Sequence, residues 1–372
     1  MTEYSHNSWG DGAIFSVPLE KSAPTGALFL LFFAMKPRGK EVYDLRSKIV
    51  SWVTVILVLV AGVLFFLLRE PAEETLKVGI VQIVEHPALD SAREGFIEVL
   101  TENGYVEGEN IAYQIQNAQG DMATANTIAQ KFKNENPDLI LAIATPTAQA
   151  VANLIKDKPI LITAVTDPVG AGLVESAERP GTNVTGTNDL QPMEGQFKLA
   201  QDLVPGARTV GIIYNTGEAN SVTQVRIAKE IATELGLEVV EATADNSAGV
   251  LQAAQSFIGR VDVIYVPTDN TVVSAFSSVV KVAEENKIPI IAGEENLVSQ
   301  GALATVGVNY YRLGRQTAEM AVKIIKGEAK PETMPIESQR ENELVINEDA
   351  AKAMGVTIPN VLREKATIVH NK

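Results

Sequence analysis

From Leu76 onward the sequence alternates short apolar runs with segments of helical period, and this alternation constrains the fold more than any other feature. The apolar runs are "KVGIVQI" (Lys77–Ile83), "IAYQIQN" (Ile111–Asn117), "LILAIA" (Leu139–Ala144) and "ILITAV" (Ile160–Val165), then "TVGIIYN" (Thr209–Asn215), "EVVEATA" (Glu238–Ala244), "VDVIYV" (Val261–Val266) and "IPIIAG" (Ile288–Gly293). Helix candidates lie between them at residues 89–103, 122–134, 147–156, 195–203, 221–235, 248–257 and 272–286. Strands that alternate with helices build right-handed βαβ units and parallel sheets. Strands covered by helices on both faces must be apolar throughout, as these runs are. The expected class is α/β.

The two halves echo each other. Each opens with strand, turn and helix, and continues with a more polar strand after "GY" or "GL". Next comes "DLILAIATPT" in one half and "VDVIYVPTDN" in the other, and a proline precedes the following strand in both. A chain of 372 residues exceeds what one core usually serves. Two Rossmann-like lobes with a cleft between them are expected, changing over near "GTNVTGTND" (Gly181–Asp189). Residues 76–188 plus 308–330 are assigned to lobe 1, and 189–307 plus 331–368 to lobe 2.

An N-terminal hydrophobic helix is expected ahead of the lobes. Val50–Leu68, "VSWVTVILVLVAGVLFFLL", holds nineteen residues without a charge, long enough to span a bilayer. Lys36, Arg38, Lys40, Arg46 and Lys48 precede it and acidic residues follow, which puts the N-terminus in the cytoplasm and the lobes outside. A retained anchor and a cleaved signal both fit, although "REPAEE" is a poor cleavage site. Residues 1–49 form a cytoplasmic extension, and the basic stretch opening at Met35 marks that residue as the expected start of translation.

Composition excludes several chemistries. The net charge of −15 argues against a nucleic-acid footprint. Absence of cysteine removes disulfides, thiol catalysis and thiolate metal sites, and the three histidines are far apart. No dinucleotide fingerprint, phosphate loop, zinc-protease motif or nucleophile elbow is present. No cofactor is expected, and an exported binding protein is a better reading than an enzyme.

In parallel α/β sheets ligands bind beyond the carboxyl ends of the strands. The turns there are "VEHPALD", "TPTAQA", "TDPVGAG", "NTGEANS", "PTDNT" and "GEEN". Helix N-termini and hydroxyls suit a ligand carboxylate. Glu85, Asp167, Glu218, Asp269 and Glu294 offer carboxylates for an ammonium, and His86, Tyr214 and Tyr310 offer surfaces for an aromatic side chain. Each such turn, taken singly, also reads as an ordinary helix cap.

As a set, "GIVQIVEHPALDSAREGF", "DLILAIATPTAQA", "AVTDPVGAGLV", "NVTGTNDL", "YNTGEANSV", "YVPTDNTV" and "IIAGEENLVSQGALATVGVNYYRLGRQTAEMAVKIIKGE" resemble the substrate-binding proteins of ABC transporters of the tryptophan-binding (TrpX-like) type. The resemblance spans about Leu76 to Ile368. It implies a type I periplasmic-binding-protein fold, closure about a hinge of three crossing segments, and an amino-acid ligand, with aromatic ones such as tryptophan or phenylalanine among the candidates. It also implies a partner permease with its ATPase, and a monomer. Carried onto this chain, the ligand shell comprises Thr145, Thr147, Asp167, Tyr214, Glu218, Asn220, Ser221, Thr268, Asp269 and Asn270. The lipobox cysteine common in relatives is missing, which leaves the Val50–Leu68 helix as tether. The alternative is a membrane-anchored sensor of the same fold.

Overall fold

The computed structural model describes residues 40–68 and 75–371, with backbone only for 40–46 and 63–68. The chain divides into two units, Met1–Glu73 and Glu74–Lys372. In the first, helix α1 runs Lys40–Leu68. Among the described residues no helix is long and apolar enough to cross a membrane. Described side chains of α1 end at residue 62, so the rest of the expected Val50–Leu68 span lies outside them, and residues 1–39, with the expected start at Met35, lie outside the described residues.

The second unit contains two α/β lobes. The first is built from β1 (Leu76–Gln82), α2 (Pro87–Glu102), β2 (Ile111–Asn117), α3 (Met122–Glu135), β3 (Leu139–Ile143), α4 (Thr145–Leu154), β4 (Ile160–Val165) and β5 (Val184–Asn188). These strands are parallel in the order β2-β1-β3-β4-β5. The second lobe follows with α5 (Met193–Leu203), β6 (Thr209–Tyr214), α6 (Ala219–Glu234), β7 (Glu238–Thr243) and α7 (Val250–Gln255). It continues through β8 (Val263–Val266), α8 (Asn270–Ser274), α9 (Phe276–Asn286), β9 (Ile290–Ala292), α10 (Glu295–Ser299) and β10 (Ala304–Gly307). Its order, β7-β6-β8-β9-β10, repeats that of the first.

The echo seen in sequence is carried by matched contacts. Gly79 in β1 lies against the Phe132 ring and Gly211 in β6 against Phe257; a Cβ would come within 3.1 and 2.9 Å of those rings. In both lobes the glycine lets a large ring lie flat on the central strand. Asp138 accepts from the Lys77 amide at 2.9 Å, and Asp262 accepts from the Thr209 amide at 2.9 Å. Each aspartate ties the start of its lobe's third strand to the first.

The chain then returns to the first lobe as α11 (Tyr310–Ile325) and β11 (Glu337–Ser338), which pairs with β5. It crosses again to give β12 (Glu343–Asn347), α12 (Glu348–Met354), α13 (Asn360–Lys365) and β13 (Ile368–His370) at the edge of the second sheet. β12 is antiparallel to β10. The α2–α11 contact is closest at Gly95 and Gly314, where a Cβ would meet the Tyr311 and Ala92 carbonyl oxygens at 2.2 and 1.9 Å.

Two details differ from the sequence reading. β11 with Ile336 belongs to the first sheet and core, so the third crossing follows Ser338 rather than residue 330. The helix expected over 272–286 breaks at Ala275 (φ −116°, ψ 22°) into α8 and α9.

Candidate functional site

The carboxyl ends of the central strands in each lobe carry turns that meet in a cleft. Its inner part is narrow and is lined from both lobes. The first lobe contributes His86, Leu89 and Ala164, and the second contributes Asn220, Thr268, Asp269, Asn270 and Glu294. Asp189 and Tyr310 enter from the first and second crossings. The outer part opens between Pro146 and Met122 on one side and Asn215–Glu218 and Thr271 on the other. Ala164 (φ 56°) and Ala144 (φ 80°), at the ends of neighbouring strands, hold left-handed backbone that alanine adopts only under strain. Their turns are held by the surrounding fold rather than by local preference.

The cavity gathers acidic groups in a buried setting. Asp189 is 2% exposed, and its carboxylate accepts from Tyr310 Oη at 2.5 Å and Thr166 Oγ1 at 3.0 Å. Burial pushes its pKa up, against those two hydrogen bonds. Glu294 is 1% exposed, and burial, with the Asp189 and Glu295 carboxylates beside it, raises its pKa from 4.5 to about 8. Asp269 caps α8 through the Val272 amide at 2.8 Å and also accepts from the Asn215 amide at 2.6 Å. Burial and the nearby Glu218 charge nevertheless raise its pKa to about 7. Among the described residues no lysine or arginine lines this cavity.

Three buried side-chain atoms of the lining have no hydrogen-bond partner: His86 Nδ1, Asn220 Oδ1 and Glu294 Oε1. Asn220 Nδ2 donates to Glu218 Oε2 (3.2 Å) and to the Thr268 carbonyl (3.0 Å), which fixes the amide orientation and leaves Oδ1 as the uncommitted acceptor. Burial lowers the His86 pKa from 6.5 to about 4, so the ring is neutral. Asn270 Nδ2 is committed to Glu218 at 2.5 Å, so its oxygen faces His86. His86 thus donates there and keeps a lone pair on Nδ1. All three groups are acceptors when Glu294 is ionised, and unmet buried acceptors cost about 1–3 kcal/mol each.

The sequence-predicted residues divide. His86, Asn220, Thr268, Asp269, Asn270 and Glu294 line the inner cavity. Glu218 lines the outer cleft, but its oxygens are committed to the amides of Asn270 (3.1 Å) and Thr271 (3.0 Å) and the Thr271 hydroxyl (2.9 Å). Ser221 is fully buried beside Asn220 Nδ2, at 3.3 Å. Thr147 donates to the Ile143 carbonyl at 2.6 Å and so secures the start of α4. Thr145 is buried with its Oγ1 unpartnered, next to Pro146 of the outer cleft. Three residues lie elsewhere. Glu85 is exposed, Asp167 caps its own turn through the Gly170 amide (2.8 Å), and Tyr214 donates to Glu241 on the neighbouring strand (2.9 Å).

Residues not singled out beforehand complete the site. Gln224 Oε1 accepts from the Thr268 amide (3.1 Å) and hydroxyl (2.9 Å), while its Nε2 reaches Thr166 of the first lobe at 3.5 Å. Thr166 and Asp189 continue this line of hydrogen bonds into the hinge, where Asp189 meets Tyr310, a residue the sequence had offered as an aromatic surface and which lines the inner cavity.

Comparison with known proteins agrees with this architecture. The family model for ABC transporter substrate binding proteins matches residues 77–370. A tyrosine-binding protein of Clostridioides difficile (strain R20291) is 49% identical over 286 residues, covering 77% of this chain and 83% of that protein. A Streptococcus pneumonia ABC domain solved in complex with L-Trp is 35% identical, with TM-score 0.77 over 80% of this chain and 100% of that one. The ligand-free, open structure of a substrate-binding protein with adhesive properties from Clostridium difficile is 49% identical, with TM-score 0.62 over the same shares. More distant solute-binding proteins, at 16 and 17% identity, share the type I periplasmic-binding-protein fold. The chain belongs to the ABC transporter substrate-binding protein family, whose members bind solutes rather than transform them.

Proposed function

We propose that this protein captures an amino acid with an aromatic side chain, tyrosine or tryptophan, between its lobes and presents it to an ABC permease. One observation carries the reading: His86 Nδ1 and Asn220 Oδ1 are uncommitted buried acceptors beside the unpartnered Glu294 carboxyl, and among the described residues no lysine or arginine lines the cavity. An ammonium group brings three donors and a positive charge, which meets that need. The ligand carboxylate docks at the N-terminus of α4, where the Thr145 hydroxyl is uncommitted and the helix dipole is favourable. The named ligands of two relatives, tyrosine and L-Trp, support an aromatic side chain.

Residues 76–188 with 308–338 act as one lobe, and 189–307 with 343–371 as the other. A ligand bridging both binds the closed arrangement better and selects it. The nineteen uncharged residues of Val50–Leu68 lie in helix α1 and support a membrane tether, at about 1.5 Å rise per residue. A thermal-shift screen of the twenty amino acids tests the function. A ligand at a hundred times its Kd adds about 2.7 kcal/mol to stability. A rise with tyrosine or tryptophan alone supports the reading, and no rise with any amino acid refutes it.

A further inference from the structure

The inner cavity leads into a run of carboxyl groups with little to balance them. Glu294 Oε1 has no partner and borders the cavity. From the first crossing Asp189 faces it, from α11 the Tyr310 hydroxyl, from the first lobe neutral His86, and across the cavity Asp269 with Glu218 behind. On its own turn stands Glu295, whose carboxyl contacts Glu343 and accepts from Asn309 Nδ2 at 2.9 Å. The one guanidinium in this run is Arg312, 2.8 Å from Glu343 and on the hinge side of the pair. Glu294 and Asp189 therefore sit together, both nearly inaccessible to solvent, with no cation of the protein beside them. Two carboxylates in that setting do not both ionise readily.

We propose that cargo capture is an exchange, in which the ligand's ammonium displaces one proton from the Glu294 carboxyl, making Glu294 the residue that selects solutes bearing a positive charge. The inference rests on the amino-acid reading above. The balance is simple. The O–H bond of the Glu294 carboxyl breaks, its proton leaves to solvent, and the carboxylate pairs with the incoming ammonium, so the cavity's charge hardly changes. The raised pKa of Glu294, about 8, agrees with a proton held there at neutral pH. A neutral or anionic solute of the same shape leaves that proton in place and meets unpaired acceptors instead.

The test is calorimetric titration of the full chain, freed of carried ligand, with L-tyrosine and with L-tryptophan at pH 7, in phosphate and in Tris. These buffers take up protons with different heats. The expected result is release of close to one proton per bound amino acid, with affinity rising about tenfold from pH 6 to 7 and levelling only above about pH 8. In Glu294→Gln the release falls by close to one proton and affinity drops at least tenfold. Tight binding with equal heats in both buffers overturns the exchange and leaves the amino-acid reading standing. Release that persists in Glu294→Gln at unchanged affinity overturns the role of Glu294. Failure of both amino acids to bind overturns the exchange together with the reading it rests on. If the variant does not fold, the comparison of buffers in the natural protein decides alone.

Discussion

Glu294 makes stability fall with pH over a window in which most proteins change little. Its pKa rises from 4.5 to about 8 on folding, chiefly through burial. A carboxyl raised in this way stabilises the fold fully below its unfolded pKa, and that contribution is lost as pH rises through the folded value. Each proton held by the folded but not the unfolded chain makes stability fall by about 1.4 kcal/mol per pH unit. Between pH 6.5 and 8 Glu294 alone then lowers stability by about 2 kcal/mol. His86 acts in the opposite direction, but lower down. With its pKa lowered from 6.5 to about 4, its stabilising effect grows only up to about pH 6.5. The higher window therefore isolates the carboxyl groups, with Asp269 adding to the loss up to about pH 7. For a chain of this size the fall corresponds to about 3 °C in Tm. Calorimetric scans of ligand-free protein from pH 6.5 to 8 should show that fall, and Glu294→Gln should remove most of it. A flat or rising Tm in the natural protein, or an equal slope in the variant, refutes the reasoning.

Other perturbations follow from the same geometry. Gly314→Ala puts a methyl group 1.9 Å from the Ala92 carbonyl oxygen and should cost at least about 3 kcal/mol by denaturant unfolding, because backbone there cannot yield cheaply. Asn220→Leu removes one of the cavity's acceptors and should weaken amino-acid binding by about 10- to 100-fold in titration, at a stability cost of about 1–3 kcal/mol because the Thr268 carbonyl loses its donor. Glu218→Ala frees the amides of Asn270 and Thr271; it should cost about 1–3 kcal/mol in stability and weaken binding indirectly, by releasing Asn270. Tyr214→Phe should leave affinity unchanged, since its hydroxyl serves Glu241 on the neighbouring strand; a tenfold loss would bring Tyr214 into the site.

How much of this was legible beforehand depended on whether the signal was local. Apolar runs covered on both faces, such as "DLILAIA" and "VDVIYV", mark strands whatever surrounds them, so the order of the sheets and the turns at their ends could be read directly. The six cavity residues named from those turns lie within a few positions of a strand end. Asp189 was hidden in a Gly-, Thr- and Asn-rich stretch that reads as a linker, because its partners Thr166 and Tyr310 lie 23 and 121 residues away. Gln224 sits one turn inside a helix, where a glutamine ordinarily faces solvent; here it is buried, held by Thr268 of its own lobe and within 3.5 Å of Thr166 in the first. Tyr214 misled for the opposite reason. It ends a strand at the cleft, yet its side chain projects along the sheet toward Glu241. Residue type and turn position suggested a ligand contact for Glu218 and Thr147 as well, whereas their oxygens are occupied in holding helix starts.

The central claim is that the inner cavity recognises an ammonium group on an aromatic solute. The most direct test titrates the purified protein, unfolded and refolded to remove carried ligand, with L-tyrosine and with the same molecule lacking its amino group. The account predicts tight one-to-one binding of the amino acid and a loss of at least a hundredfold for the deaminated compound, since the His86 Nδ1 and Asn220 Oδ1 acceptors and the Glu294 carboxyl then go without the ammonium. Equal binding of the two compounds would contradict it.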